Sequence, residues 1–562
     1  MTATIRVAAA QFHVGNDVAA NLATCLRMLD SAAECRPDLI LLPEFCNHLS
    51  WYDSGEQCYE VAVELDGPFL AAIAAKAAEL GVYVAINCTV RRPGGLTTGS
   101  SLLYSPQGEL LADNTKQIYI GHENTFLEKA LTPAPVVDTP LGRLGLYACM
   151  DGVINEPPRA LALNGAQVLL NSFNSFATDE GSLHVPVRAA ENRVFVVAAN
   201  KVGPLVPEGM LDAVSAATGI PPRFLCGAGE SQIVAPDGEV LAIASMDQEE
   251  VIFADIQPAL ALDKRRPDGT DLFASRRPAL YRPITDDPAG QQLPTMGGAQ
   301  QLQAALVQWG GEADAAQLGE QVAAAVRGGA ALVLLPPLFA AASEPGAAAE
   351  RCAALLPVIS AAAGEAHVAT SAVLPGETGL QHCAVLLDRH GIALRQPQVH
   401  RSERFAFSVL ADTFSSLELP GARVAVLTSD DTLYPETFRL LALQGVEVAL
   451  VPLAPLEAWE LRTGLVERAA ENRINLLACV ADAQFGESLA CVLQTDFTVL
   501  TEWQERPFDG LLSQPELTRF PAGAGVFPVI LRPANAANKV VSENTDLLAD
   551  RPWQPCSVIS AP

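Results

Sequence analysis

Glu44, Lys116 and Cys149 stand apart from the other reactive residues by their context. Glu44 closes the apolar run LILLPE, Lys116 follows ELLADNT, and Cys149 closes RLGLYAC. Each falls at or just past the C-terminal end of a predicted strand, the edge where α/β sheets bind ligands. A strand end is also a rigid platform for side chains that must converge. A cysteine attacks well only as the thiolate, which a nearby cation stabilises. A carboxylate can take the thiol proton and later return it to a leaving amine. A lysine ammonium can neutralise an oxyanion formed on a carbonyl carbon. Together these groups make a coherent set: a nucleophile, an acid/base and an oxyanion partner. Taken singly, each has an ordinary reading: a loop carboxylate after Pro43, a solvated lysine, and a small core thiol.

The elements that must position them are written twice. IRVAAAQFHVG resembles LQAALVQWGG, DLILLPEF resembles ALVLLPPLF, VPVRAAENRVFVVAAN resembles GLVERAAENRINLLACV, and GAGESQIVAPDG resembles QFGESLACVLQT. The pairs keep their order, and their separation shrinks along the chain, as in a duplication whose second copy has lost loop residues. IRVAAAQ, DLILLPE, VYVAINC, GSSLLY and GLYAC read as short strands, whereas AANLATCLRMLDSAAE and PFLAAIAAKAAELG carry apolar residues at helical spacing. SSLLYSPQGELLADN reads as a hairpin. This alternation predicts α/β layers. The first unit spans residues 1–285, a Pro/Gly/Gln-rich linker 286–300, the second unit 301–531, and a tail without sustained period 532–562.

The repeat supplies an internal comparison. Pro337 stands where Glu44 stands, and Ser429 replaces Cys149. Counting from Gly108 and Gly391 puts Val399 opposite Lys116. Three dispersed reactive side chains are thus lost together while their flanks persist, which is how a disused catalytic set behaves. Arg159, Arg188 and Glu191 recur as Arg439, Arg468 and Glu471. Having outlived the reactive set, they read as structural, in a buried or interface ion pair.

Bulk composition excludes several classes. The 562 residues carry a net charge of −28, which repels phosphate backbones, so no nucleic-acid partner is expected. No uninterrupted apolar run of membrane-spanning length is read in the sequence, and no membrane association is expected. Twelve cysteines at irregular spacing, without a CxxC pair, argue for a reducing compartment and a cytoplasmic location. No compact His/Cys cluster of zinc spacing occurs, and no metal or cofactor is expected.

AAAQF, LILLPEF, the lysine of DNTKQIYI, LGLYACMD and VPVRAAENRVFVVAANKVG resemble the nitrilase superfamily of carbon–nitrogen hydrolases. The resemblance covers the first unit almost fully and the second weakly. It implies an α-β-β-α sandwich in each unit and a Glu–Lys–Cys triad carried by Glu44, Lys116 and Cys149. It also implies sandwich-to-sandwich pairing, here an intrachain pseudo-dimer that could assemble further into a homo-oligomer. Many relatives carry a second glutamate before the threonine-proline turn. In HENTFLEKALTPAP both Glu128 and Glu123 are candidates. Asn171 and Asn174, in LLNSFNSF, are candidate pocket residues because the matching VPLAPL lacks both.

Nitrile-cleaving members show Cys-Trp-Glu at the nucleophile, whereas Cys149-Met150-Asp151 is closer to the amidase and carbamoylase branches. Arginines that hold a substrate carboxylate in some carbamoylases are replaced by Gly152 and Val153. The expected activity is hydrolysis of a small amide or carbamoyl compound. The alternatives are a nitrile hydrolase using the same thiol and a non-catalytic assembly or binding subunit.

Overall fold

The computed structural model describes residues 4–207, 209–291, 293–294, 297–309, 314–340, 343–481, 485 and 487–562. The first unit has twelve strands: β1 Ile5–Gln11, β2 Leu39–Leu41, β3 Tyr83–Arg92, β4 Leu96–Tyr104, β5 Leu110–Thr115, β6 Val136–Thr139, β7 Gly142–Ala148, β8 Val168–Ser172, β9 Phe195–Ala199, β10 Gln232–Val234, β11 Val240–Ile243 and β12 Glu250–Ile256. They form two six-stranded sheets, ordered β12-β1-β2-β3-β4-β5 and β11-β10-β9-β8-β7-β6. Each has a parallel core, β1-β2-β3 or β7-β8-β9, flanked by antiparallel strands.

The period-two pattern of β1 sorts its side chains between layers. Val7 and Ala9 pack with Leu144, Leu146, Val168 and Leu170 between the two sheets. Ala8 and Ala10 face outward onto the helices Val18–Ala33 and Pro68–Leu80. Helices Glu156–Leu163 and Val185–Asn192 cover the opposite face. The order is helix, sheet, sheet, helix, as expected from the sequence.

The second unit repeats this plan. Its sheets run from Leu302–Gln308 to Gly525–Leu531 with the same strand order and pairing. Its helix Pro345–Ala363 is long and apolar enough to cross a membrane by length and composition, which the sequence reading had not singled out. It lies on the outer face of a sheet, burying Ala348, Cys352, Leu355, Ile359 and Ala363.

The two units pack through their inner helices with approximate two-fold reciprocity. Arg159 pairs with Glu436 at 2.9 Å, and Arg439 pairs with Glu156 at 2.6 Å. Arg468 reaches Glu191 at 2.6 Å, and Arg188 reaches Glu471 at 2.7 Å and also Glu467. All these side chains are buried. This is the structural role expected for the recurring arginines.

Described residues on both sides of the second unit are fastened by polar contacts. Arg551 binds the carbonyls of Pro283, Ile284 and Asp286, and Gly298 donates its N–H to Glu447. The tail is the second copy of 258–285. Lys264 caps the carbonyls of Asn192 and Arg193, as Lys539 caps those of Asn472 and Arg473. Each copy of this strap then crosses to the other unit. Arg266 and Arg276 pair with Asp430 and Glu436, while Ser542 and Thr545 bond Gly121 and Tyr119. The repeat was missed here because a strap held by scattered polar contacts has no apolar period to detect.

Candidate active site

Cys149 follows β7 and opens a short helical turn, Met150–Val153, with φ 46°. Left-handed backbone at a non-glycine residue costs about 1–3 kcal/mol and persists only where the surroundings impose it. Here the Cys149 N–H is shared between the Ser172 carbonyl and Asn171 Oδ1, both at 3.1 Å. Arg188 holds the far end of the turn by donating to the Gly152 and Val153 carbonyls. The interface network therefore reaches the residues just after Cys149. Phe45, next to Glu44, has φ 48° and is anchored by the Asn87 side chain.

The Lys116 ammonium lies 2.8 Å from Glu44 Oε1 and 3.2 Å from Glu123 Oε2, all three side chains buried. The rings of Phe45 and Tyr119 flank it. Asp151 accepts the Gln117 and Ile118 N–H groups and so fixes the turn that carries Lys116. Glu128, the other candidate, is exposed, and only its backbone serves the site, through Thr97 and Tyr119. The second glutamate beside Lys116 is Glu123.

Burial dominates the ionisation. It pushes the Glu44 carboxyl up to about 7, with Lys116 acting in the opposite direction. It pushes the Cys149 thiol well up, with Glu180 and Glu44 adding to the effect. For Lys116, burial favours the neutral amine, but Glu123 and Glu44 outweigh it and hold the ammonium. The resting site is thus a neutral thiol beside a lysine flanked by two carboxyls, with Glu44 Oε2 buried and unpartnered.

Two further residues escaped the sequence reading. Glu180 Oε2 lies 3.8 Å from Cys149 Sγ, and its Oε1 has no hydrogen-bond partner. Lys201 is buried against the Phe45 carbonyl, and burial lowers its ammonium to about 8. A signal for Lys201 existed, since Ala481 occupies its place in the repeat. Of the two asparagines, Asn174 lines the cavity in front of Cys149 together with Glu123 and bonds Ser50. Asn171 Oδ1 accepts the Cys149 N–H and so holds the backbone of that residue. Among the described residues no group of His, Cys, Asp and Glu side chains could hold a metal ion.

The carbon–nitrogen hydrolase family model matches residues 6–266 and again 297–493. The chain belongs to the carbon–nitrogen hydrolase family. A Pyrococcus abyssi nitrilase is 27% identical over 263 residues, covering 46% of this chain and 92% of that protein. An (R)-stereoselective amidase from a Pseudomonas species is 29% identical over 293 residues, covering 50% of this chain and 95% of that protein. Among solved structures, the NitN amidase of strain AN1 is similar at 23% identity with a TM-score of 0.40, covering 50% of this chain and 98% of that one.

This carbon–nitrogen hydrolase carries the reactive set in one repeat only. Matching hydrogen bonds give the correspondence. Lys116 N–H bonds the Gly99 carbonyl as Gln398 N–H bonds that of His382, and Asp151 clasps Gln117 and Ile118 as Asp431 clasps Val399 and His400. Gln398, not Val399, therefore occupies the lysine position. The count from the glycines slipped because the hairpin turn is one residue shorter in the second copy, Leu387 to Ile392 against Tyr104 to Leu110. Phe405 replaces Glu123 and packs at a tilt against His382, their ring centroids 4.2 Å apart. Ser429 has relaxed out of the left-handed region and bonds the Ala454 carbonyl. Arg193 and Arg473 both keep φ 50°. Positive φ is shared by both copies where it ends a helix and is found in the first copy alone at Cys149.

Proposed function

We propose that the first unit hydrolyses a small amide or carbamoyl compound through a thioester on Cys149. The observation that carries this reading is the buried Glu44–Lys116–Glu123 set facing a strained cysteine at a strand end. Glu44 takes the Sγ proton, and the thiolate attacks the carbonyl carbon. Lys116 and a backbone N–H after Cys149 hold the oxyanion. The C–N bond breaks, and the nitrogen leaves as ammonia or an amine with the proton from Glu44. Glu44 then takes a proton from water as its oxygen attacks the thioester, the acid departs, and the thiol is restored. Glu123 keeps Lys116 charged throughout. The twelve unbridged thiols suit a reducing, cytoplasmic setting.

Two features narrow the substrate. A side chain at Gly152 would meet the Tyr147 ring at 2.7 Å. Val153 is buried among apolar neighbours. No cation follows the nucleophile to hold a substrate carboxylate, so N-carbamoyl amino acids are disfavoured.

The test is hydroxylamine trapping during turnover of primary amides and carbamoyl amines. Hydroxamate should form with the native protein and vanish in Cys149→Ala, with a rate loss of several orders of magnitude. Ammonia release persisting in that variant would refute the thioester route.

A further inference from the structure

The cavity in front of Cys149 is not built by the first unit alone. Cys149, Glu123 and Asn174 line it from the first unit, and Val499 and Leu500 line it from the second. These belong to a segment the first copy lacks. Strands β10 and β11 are joined by the tight turn 235–239, whereas their counterparts Glu487–Val492 and Glu516–Pro521 are joined by residues 493–515.

The segment is a built structure. The Asp496 carboxylate accepts the N–H groups of Gln504, Glu505 and Arg506. Phe508 packs edge-on against Phe176 and Phe224 of the first unit, with ring centroids 5.6 and 5.5 Å apart. The Asp179 carboxylate accepts from Ser513 and Gln514, and Ser513 meets His184 at 2.7 Å. The insertion is thus fastened on both sides of Glu180, the residue beside Cys149.

We propose that segment 493–515 is the substrate-selecting wall of the hydrolase. Val499 and Leu500 meet the far end of the acyl group, and the favoured substrates are primary amides with a linear apolar acyl chain of several carbons. The reasoning is chemical. Ile120, Phe176, Val206 and Leu225 line the same cavity as Val499 and Leu500, with Ser50 and His122 as further polar lining. The Val499 and Leu500 side chains offer an acyl chain van der Waals contact and no charge to pair. Apolar pockets discriminate by the number of methylenes they cover. This inference rests on the assignment of Cys149 as nucleophile, and it explains why a unit without the reactive set is retained.

Alkylation of Cys149 separates the two ideas, because it requires the acyl group to enter but no turnover. The full chain is treated with 2-bromoacetamide and 2-bromohexanamide, and the Cys149 peptide is followed by mass spectrometry. Leu500→Asp places a carboxylate on the wall at a position with φ 61°, a region aspartate tolerates. The ratio of hexanamide to acetamide labelling rates should fall about ten-fold relative to the native protein. Val499→Thr keeps the side-chain volume and should lower the same ratio by a smaller factor. An unchanged ratio in both variants, with Cys149 still labelled, overturns the wall. Native Cys149 that reacts with neither reagent overturns the nucleophile assignment, and this inference with it.

Discussion

Glu123 and Glu128 share one short segment, yet their environments predict opposite outcomes. Glu123 is buried against Lys116 at 3.2 Å, and Glu128 faces solvent. Glu123→Gln should lower kcat by about 10²–10³, the loss typical of one preorganised electrostatic partner, while Glu128→Gln should stay near native activity. Steady-state kinetics on one substrate decides between them. The sequence could not, because the loop from Gly121 to Ala130 winds through a short helix with no period that fixes which acid points inward. Glu44, Lys116 and Cys149 were legible because each ends or follows an apolar strand. Their ionisation was not, since it depends on burial. With Glu44 raised to about 7, the base is protonated in the free enzyme below that pH. The ascending limb of kcat/KM should therefore lie near pH 7, rather than near the ordinary carboxylate range. A limb centred below pH 5 would mean that Glu44 is not the titrating base.

The strand-to-helix turn after β7 shows how the interface and Cys149 share one element. Arg188 lies on helix Val185–Asn192, donates to the Gly152 and Val153 carbonyls, and pairs with Glu191, Glu467 and Glu471. Removing one partner of a buried network leaves the others as uncompensated charges, at a cost of about 3–5 kcal/mol. Arg188→Met should therefore lower the unfolding temperature and also kcat, because the turn carrying Cys149 loses its clasp. Arg188→Lys keeps the charge but not the planar fork that reaches two carbonyls and three carboxylates. It should recover part of the stability and little of the kcat. Equal recovery of both would show that Arg188 stabilises the fold without positioning the nucleophile. The sequence revealed the persistence of this arginine in both copies, and hence its structural character. It did not reveal the contact with Gly152 and Val153, which arises from how the helix packs over the turn.

At the scale of the whole molecule, the duplicated plan was readable and the exchange of straps was not. The repeat pairs place two sandwiches in order, but 532–562 shows no apolar period because it is held by scattered polar contacts, some within its own unit at Asn472 and Arg473 and others across to the first unit. Those contacts join the first unit's site to the second unit. Ser542 and Thr545 support the backbone at Gly121 and Tyr119, next to Glu123, and Val499 and Leu500 close part of the cavity. Burial disfavours the charged form of Glu436 at this interface, but Arg159 and Arg276 outweigh it and hold the carboxyl at about 2. A depressed carboxyl stabilises the folded pair above its ordinary value of 4.5, and that stability is lost as pH falls from there towards 2. Acid should thus weaken the pairing of the units, and Glu436→Gln should remove part of that dependence at the expense of stability near neutrality. The decisive experiment is truncation after residue 290. The fragment keeps Glu44, Lys116, Glu123 and Cys149 but exposes the inner helices and opens the cavity, so it should aggregate or lose activity. Residues 297–562, which lack the reactive set, should release no ammonia alone but restore activity when refolded with the fragment. A fragment that stays monomeric and fully active by itself would mean that the second unit is dispensable to the site. Restoration in trans, measured as ammonia release and abolished by Leu500→Asp specifically for long-chain amides, would show that the second unit contributes both support and wall.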